Sequence, residues 1–204
     1  MPDSVTNKIV IFLFDNFTAL DVIGPYEVLT KIPNTKIYLA GKEKKEYKDL
    51  YGLTLKSEYS IDEINEADVL LIPGGFGIDE LLKDRILIDW ILKIDKTTKW
   101  TTSVCSGSIL LAEAGLLNDK KCTTHWRRKD QLKKYNVVVK NERYVHDGKI
   151  ITSAGVSAGI DMALYLTSKI ANDHTAKIIQ LGIEYDPAPP FDCGTPEKAT
   201  RELF

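Results

Sequence analysis

Cysteine is scarce here, with only three in 204 residues, at positions 105, 122 and 193. An odd count at wide spacing excludes a disulfide framework and offers no paired metal-ligand spacing, so no metal is expected. Free thiols in a reducing, cytoplasmic setting are the expectation. A basic excess is also missing: 27 Lys and Arg stand against 29 Asp and Glu, a formal charge of −2. Nucleic-acid binding draws most of its affinity from phosphate neutralisation, so that partner is not expected. No apolar run approaches the roughly 20 residues that cross a bilayer, which argues against a membrane partner. Repeats, low-complexity tracts and Gly/Ser linkers are absent too. The chain therefore reads as a single domain, 1–204, with 186–204 an extended tail around Pro187-Ala-Pro-Pro190.

What is present suits a core. Hydrophobic residues make up 44% of the chain and charged residues 27%, which argues against disorder. Apolar runs bounded by turn residues predict strands at Lys8–Phe14, Lys36–Ala40, Val69–Ile72, Trp100–Val104, Lys121–Thr123, Val137–Val139, Tyr144–His146 and Ile150–Thr152. The first of these, Ile9–Phe14, is broken at once by Asp15 and Asn16, unlike a signal peptide. Helical patterns lie between at Pro25–Lys31, Asp84–Leu92, Gly107–Ala114, Trp126–Lys134, Ser157–Ile170 and Thr175–Ile183. Continuous apolar strands alternating with helices predict a doubly wound, mostly parallel α/β sheet covered on both faces. An Asp147-Gly148 turn would add a hairpin. Gly24-Pro25 reads as a helix start, Asp84 as an N-cap and Gly115 as the residue after a helix. The mixed run Lys42–Lys48 reads as a solvated loop or short strand edge.

In such sheets ligands bind beyond the carboxyl ends of the strands. There the sequence places Asp21, Pro73-Gly74-Gly75-Phe76-Gly77, Cys105-Ser106-Gly107-Ser108, Thr124-His125-Trp126 and Ser153-Ala154-Gly155. Cys105 ends an apolar strand just before a helix that opens with small residues, the arrangement of a nucleophile elbow. A helix amino terminus favours the thiolate, predicting a lowered thiol pKa. A buried structural cysteine is the competing reading. Asp21, among apolar residues, should have a raised pKa useful for proton transfer, or else it caps the helix near Pro25. The amides around Gly74 and Gly75 could face a developing anion, but the turn lacks a P-loop's Lys and Ser/Thr. His125 could orient a substrate or contact Cys105, or be satisfied by backbone; His146 and His174 read as structural or surface residues.

Those residues resemble the ThiJ/PfpI superfamily, in the class I glutamine amidotransferase-like group with its flavodoxin-like three-layer sandwich. The likeness rests on Ser103–Ser108, on Ile72–Gly75 and on the acid after the first strand. Within that group the chain is similar to isocyanide hydratases, at Phe14–Pro25, Ser103–Leu110, Ala114–Leu117, Thr123–Trp126, Gly155–Asp161 and Glu184–Phe191. The resemblance implies Cys105 as nucleophile, Asp21 as general acid and base, and Ser106 in place of the usual threonine. It implies polar contacts from Gly75 and the Ser106 backbone, and a small-molecule substrate is expected against Gly74, Gly75, Phe76, His125, Trp126 and Gly155. No cofactor is implied, and a homodimer is. PfpI-type proteases place histidine after the nucleophile, where Ser106 stands; glyoxalases and deglycases usually have glutamate where Asp21 stands. A non-catalytic thiol stress sensor or chaperone is the reading of a different class, with Cys105 acting through its oxidation.

Overall fold

The computed structural model describes residues 7–203; residues 1–6 and 204, which the single-domain reading includes, lie outside them. The elements begin with β1 (Asn7–Leu13), α1 (Ala19–Leu29), β2 (Thr35–Gly41), β3 (Glu46–Lys48), β4 (Thr54–Lys56), β5 (Tyr59–Ser60) and β6 (Val69–Ile72). Next come α2 (Ile78–Leu81), α3 (Arg85–Asp95), β7 (Trp100–Ser103), α4 (Gly107–Glu113), β8 (Lys121–Cys122), α5 (Lys129–Leu132) and β9 (Val138–Val139). The order closes with β10 (Tyr144–Asp147), β11 (Ile150–Ser153), α6 (Ala158–Ile170) and α7 (Asp173–Gly182). Beyond α7 the described chain has no helix or strand except a 3₁₀ turn at Arg201–Leu203.

Seven strands form the main sheet in the order β10-β11-β7-β6-β1-β2-β5, parallel except where β10 runs against β11. The strands are apolar on successive residues because both faces are covered: Ile9–Leu13 and Val69–Ile72 are buried throughout. Helix α1 packs on α6 and α6 on α7, while α4 packs on α2, α3 and α5, so two helical groups flank the sheet. This is the doubly wound, flavodoxin-like α/β sandwich that the sequence implies. The chain leaves β1 toward β2 and later returns on β1's other side as β6. The strand order reverses there, which makes the carboxyl ends of β1 and β6 the expected ligand crevice.

Several details differ from the sequence reading. Helix α1 starts at Ala19, so Pro25 lies inside it, where it removes one helical hydrogen bond rather than opening the first turn. The strands read at Lys121–Thr123 and Val137–Val139 shrink to β8 and β9, which pair only with each other and stay outside the main sheet. The Trp126–Lys134 helix divides into a 3₁₀ turn, Trp126–Arg128, and the short α5. In the hairpin Asp147 pairs with Ile150, so the two loop residues are Gly148 and Lys149, one position later than read. Asp84 does cap α3, accepting the Leu87 N–H at 3.2 Å, and Gly115 has φ +77 after α4. The Lys42–Lys48 run contributes β3 to a small antiparallel pair with β4 and is tied down by Lys45–Asp15 and Lys42–Asp84 ion pairs.

Candidate active site

The loops after β1 and β6 are stitched together: Phe17 bridges Gly75, and the Thr18 N–H donates to the Gly74 carbonyl at 2.8 Å. This fixes the start of α1, where Asp21 is the third residue. The helix's N-cap is Thr18, so the capping alternative for Asp21 falls away. Asp21 is fully buried, and its Oδ2 accepts the Gly74 N–H at 2.8 Å. Oδ1 has no protein donor of ordinary geometry, while the Cys105 thiol lies within hydrogen-bonding reach of the carboxyl group. Burial pushes Asp21 up to about 7, against the Gly74 N–H and the thiol, which pull it down.

Cys105 follows β7 with φ +57, the left-handed region that a side chain rarely occupies. Such a residue stores roughly 1–3 kcal/mol and persists only where its surroundings hold it. Four groups hold this one. Its N–H is shared between the Ser153 and Ala154 carbonyls at 3.2 and 3.1 Å, and its carbonyl accepts the hydroxyls of Thr124 and Ser108 at 2.9 and 3.2 Å. Gly107 lets the chain turn: any Cβ there would run into the carbonyl oxygen of Ile72 and lie 2.8 Å from that of Pro73. The result is the strained elbow that the small residues predict.

The thiol departs from expectation. Burial, and then the Asp21 charge, push Cys105 up to about 12, although the Ser106 and Val156 N–H groups and the Ser106 hydroxyl pull it down. The lowered pKa read from the helix start is therefore overturned, because desolvation and a neighbouring carboxylate outweigh the amides of a seven-residue helix. The two groups titrate as a pair: a proton on Asp21 removes the charge that opposes the thiolate.

Ser106 is buried, and its hydroxyl accepts the Gly75 N–H at 3.0 Å and donates to the Gly75 carbonyl at 3.2 Å. The amides of Gly74 and Gly75, read as donors to an anion, are thus spent on holding Asp21 and Ser106. A Cβ on Gly74 would stand 2.5 Å from the Ser106 nitrogen and 2.8 Å from Asp21 Oδ2, so only glycine lets acid and elbow approach across it. Phe76 is 72% exposed and, like Gly74 and Gly75, takes no part in the groove that His125, Trp126 and Gly155 line.

His125 and Trp126 lie half-buried beside the elbow. The His125 ring sits against Gly155, and its Nδ1 accepts the Arg127 N–H at 3.3 Å. Burial, with help from Arg127, Arg128 and Lys129, lowers its pKa. No hydrogen bond joins it to Cys105 among the described residues. Two participants escaped the sequence reading. Val156, with φ +45, turns its N–H to the sulfur, and Thr124 grips the Cys105 carbonyl. Both follow strand ends, the signal that could have found them.

The remaining titratable residues are elsewhere. Cys122 is buried in β8 and Cys193 is exposed in the tail. His146 binds the Tyr165 hydroxyl and the Gly148 carbonyl, a structural role. Among the described residues no group of three or more His, Cys, Asp or Glu is placed to hold a metal ion, and no helix is long and apolar enough to cross a membrane.

A parallel sheet with an acid and a strained cysteine at its switch point defines a class, and comparison gives it a family. The chain belongs to the DJ-1/PfpI family, whose model matches residues 7–169. It is 38% identical over 187 residues to an isonitrile hydratase of Pseudomonas putida, covering 92% of this chain and 82% of that protein. It is 26% identical to a deglycase of Pyrococcus furiosus, covering 72% and 89% of the two chains. The crystal structure of a ThiJ/PfpI family protein from Pseudomonas syringae superimposes with a TM-score of 0.95 at 30% identity, covering 99% of this chain and 84% of that one.

Proposed function

We propose that this protein hydrates an isocyanide, R–N≡C, to the N-substituted formamide through a thioimidate on Cys105. The observation that carries the reading is the pair of Asp21 and Cys105, buried together with no cation beside them among the described residues, and with the carboxyl poised at about 7. A carboxyl of that pKa can both take and give a proton near neutrality. Asp21 takes the thiol proton as sulfur attacks the terminal carbon, then delivers that proton to the same carbon, leaving S–CH=N–R. Water adds to this carbon as Asp21 draws off one of its protons and the nitrogen gains one. The C–S bond then breaks, releasing HC(=O)–NH–R and restoring the thiol. The sum is isocyanide plus water, with no electrons exchanged. The Ser106 and Val156 N–H groups would stabilise the sulfur while it carries charge.

The likeness to the Pseudomonas putida isonitrile hydratase over most of both chains supports the same reading. A protease or amidase mechanism wants an imidazole on the sulfur, and His125 has its Nδ1 occupied by backbone. The deciding measurement is formamide release from an aryl isocyanide by the wild type and by Cys105→Ala. Turnover confined to the wild type is expected, with a substrate adduct on Cys105 detected by mass spectrometry during wild-type turnover and formed more slowly in Asp21→Asn. Equal turnover by Cys105→Ala would overturn the mechanism.

A further inference from the structure

A groove of about 300 Å³ runs beside the elbow. Three of its lining residues touch Cys105: Thr124 at the carbonyl, Ala154 at the N–H and Val156 at the sulfur. The groove thus lies against the nucleophile's backbone and, at Val156, against the residue whose N–H faces the sulfur. One wall is the rings of His125 and Trp126, with centroids 5.7 Å apart and planes 30° from one another. Gly194, Thr195, Pro196 and Glu197, from far along the chain in the tail, line it as well. That segment is lightly tied: Glu197 lies within electrostatic reach of Lys129, and the Lys198–Asp192 ion pair joins the tail only to itself.

An isocyanide is linear at N≡C, so its substituent must extend away from the sulfur once the terminal carbon is attacked. On the acid's side Gly74 is packed so closely that a Cβ there would stand 2.5 Å from the Ser106 nitrogen and 2.8 Å from Asp21 Oδ2. A cavity of about 150 Å³ accommodates benzene. Twice that volume, flanked by two aromatic side chains, has room for a flat substituent of one or two rings.

We propose that this groove receives the substrate's N-substituent, an aryl group of one or two rings, and that the tail segment Gly194–Glu197 is the wall that limits its size. The substituent's identity rests on the hydratase reading; the groove as the path to the sulfur does not.

Two variants test it in a Cys193→Ser background, with labelling at Cys105 located by peptide mass spectrometry. Glu142→Trp fills the groove from an exposed loop position, and Glu197→Lys sets a like charge against Lys129 to loosen the tail wall. The readouts are the ratio of pyrene-maleimide to iodoacetamide labelling rates, and the ratio of kcat/KM for 2-naphthyl isocyanide to that for methyl isocyanide. Glu142→Trp is expected to lower both ratios about tenfold and Glu197→Lys to raise both several-fold, magnitudes typical of one added or removed steric contact. An unchanged labelling ratio in Glu142→Trp overturns the groove as the path. A lowered ratio there with an unchanged one in Glu197→Lys overturns the tail as its wall. If the wild type turns over neither isocyanide, the hydratase reading fails, and the labelling ratios still decide the groove.

Discussion

Asp21 and Asp95 are both buried, 0% and 9% exposed, at opposite edges of the same sheet, and their surroundings differ in kind. Asp95, at the end of α3, accepts the Thr101 hydroxyl at 2.6 Å and pairs with Lys149 at 2.9 Å. Thr98 bonds both the Thr101 hydroxyl and the Asp95 carbonyl, and Lys149 reaches that carbonyl as well. Every part of that acid has a partner. Asp21 has one amide and a thiol, and no cation among the described residues. Among the described residues Ser103 Oγ and Thr123 Oγ1, toward the same edge as Asp21, are without partners, as is Gln131 Oε1 in α5. A fold that satisfies one acid completely has left another short at the edge where parallel sheets bind ligands. Such unmet demand marks chemistry, since a buried group without partners destabilises by roughly 1–3 kcal/mol.

Removing the sulfur tests that contrast most severely. Cys105→Ala should lower turnover by about 10⁴-fold or more, with a melting temperature near that of the wild type. Exchanging each acid for its amide then separates the two edges. Asp21→Asn should lower kcat by about 10²–10⁴, the usual worth of a general acid or base. It should not destabilise the fold, because the amide has no charge to desolvate. Asp95→Asn should do the reverse: activity stays, and stability falls by about 1–3 kcal/mol. That is less than the full cost of breaking a buried pair, because Lys149 is partly solvated. Inactivity of Asp95→Asn in a folded state would break the distinction.

The pH dependence of stability carries the same signature. A free aspartate titrates near 4, and Asp21 in the folded chain at about 7. Between those values the unfolded chain has released a proton that the folded chain keeps. Asp21's contribution is therefore whole below about pH 4 and lost as pH rises toward 7. Urea denaturation at several pH values should show wild-type stability declining across that window more steeply than Asp21→Asn.

Gly74→Ala comes next in size. Its Cβ would meet the Ser106 backbone at 2.5 Å and Asp21 Oδ2 at 2.8 Å, and the backbone cannot rotate aside as a flexible side chain could. A loss of about 1–3 kcal/mol from overpacking, with roughly a 10²-fold drop in kcat/KM from displaced acid and sulfur, is expected. Activity at the wild-type level would mean that the acid and the elbow need not be held across this residue.

How much of this could be read from the chain alone follows from the range of each interaction. The strands of the central sheet are written in continuous apolar runs, and the elbow in a cysteine followed by Ser106, Gly107 and Ser108. Their meeting with Asp21 followed from topology, because strand ends in a parallel sheet share one edge. What escaped depends on long-range electrostatics and backbone detail. The thiol's pKa was misjudged because a helix start is visible in sequence, whereas the desolvation and the Asp21 charge that outweigh it belong to the assembled site. The roles of the Gly74 and Gly75 amides were misread for a like reason: a glycine pair advertises close approach without saying what approaches. Pro25 suggested a helix start, yet the stitching of Phe17 and Thr18 to the β6 loop begins α1 six residues earlier. Val156's positive φ has no signature at all, since nothing in a β-branched residue foretells it.

The smallest expected effect lies at the quiet edge. Thr101→Val keeps the shape of a β7 residue whose hydroxyl donates to Asp95 Oδ1 at 2.6 Å and bonds Thr98 at 2.8 Å. The variant leaves Lys149 to balance the charge, so Asp95 loses a donor without losing its counter-ion. The cost should be about 1–2 kcal/mol, below that of Asp95→Asn, because the ion pair with Lys149 stays although the hydroxyl's bonds to the carboxylate and to Thr98 are lost. It should appear as a lower urea midpoint at unchanged slope, since the surface exposed on unfolding stays the same. Turnover should match the wild type, because β7 links the two edges only through a backbone that the substitution does not move. A fall in kcat equal to that of Gly74→Ala would show that strain at Cys105 is held from the far end of its own strand, and the two edges would then have to be treated as one device.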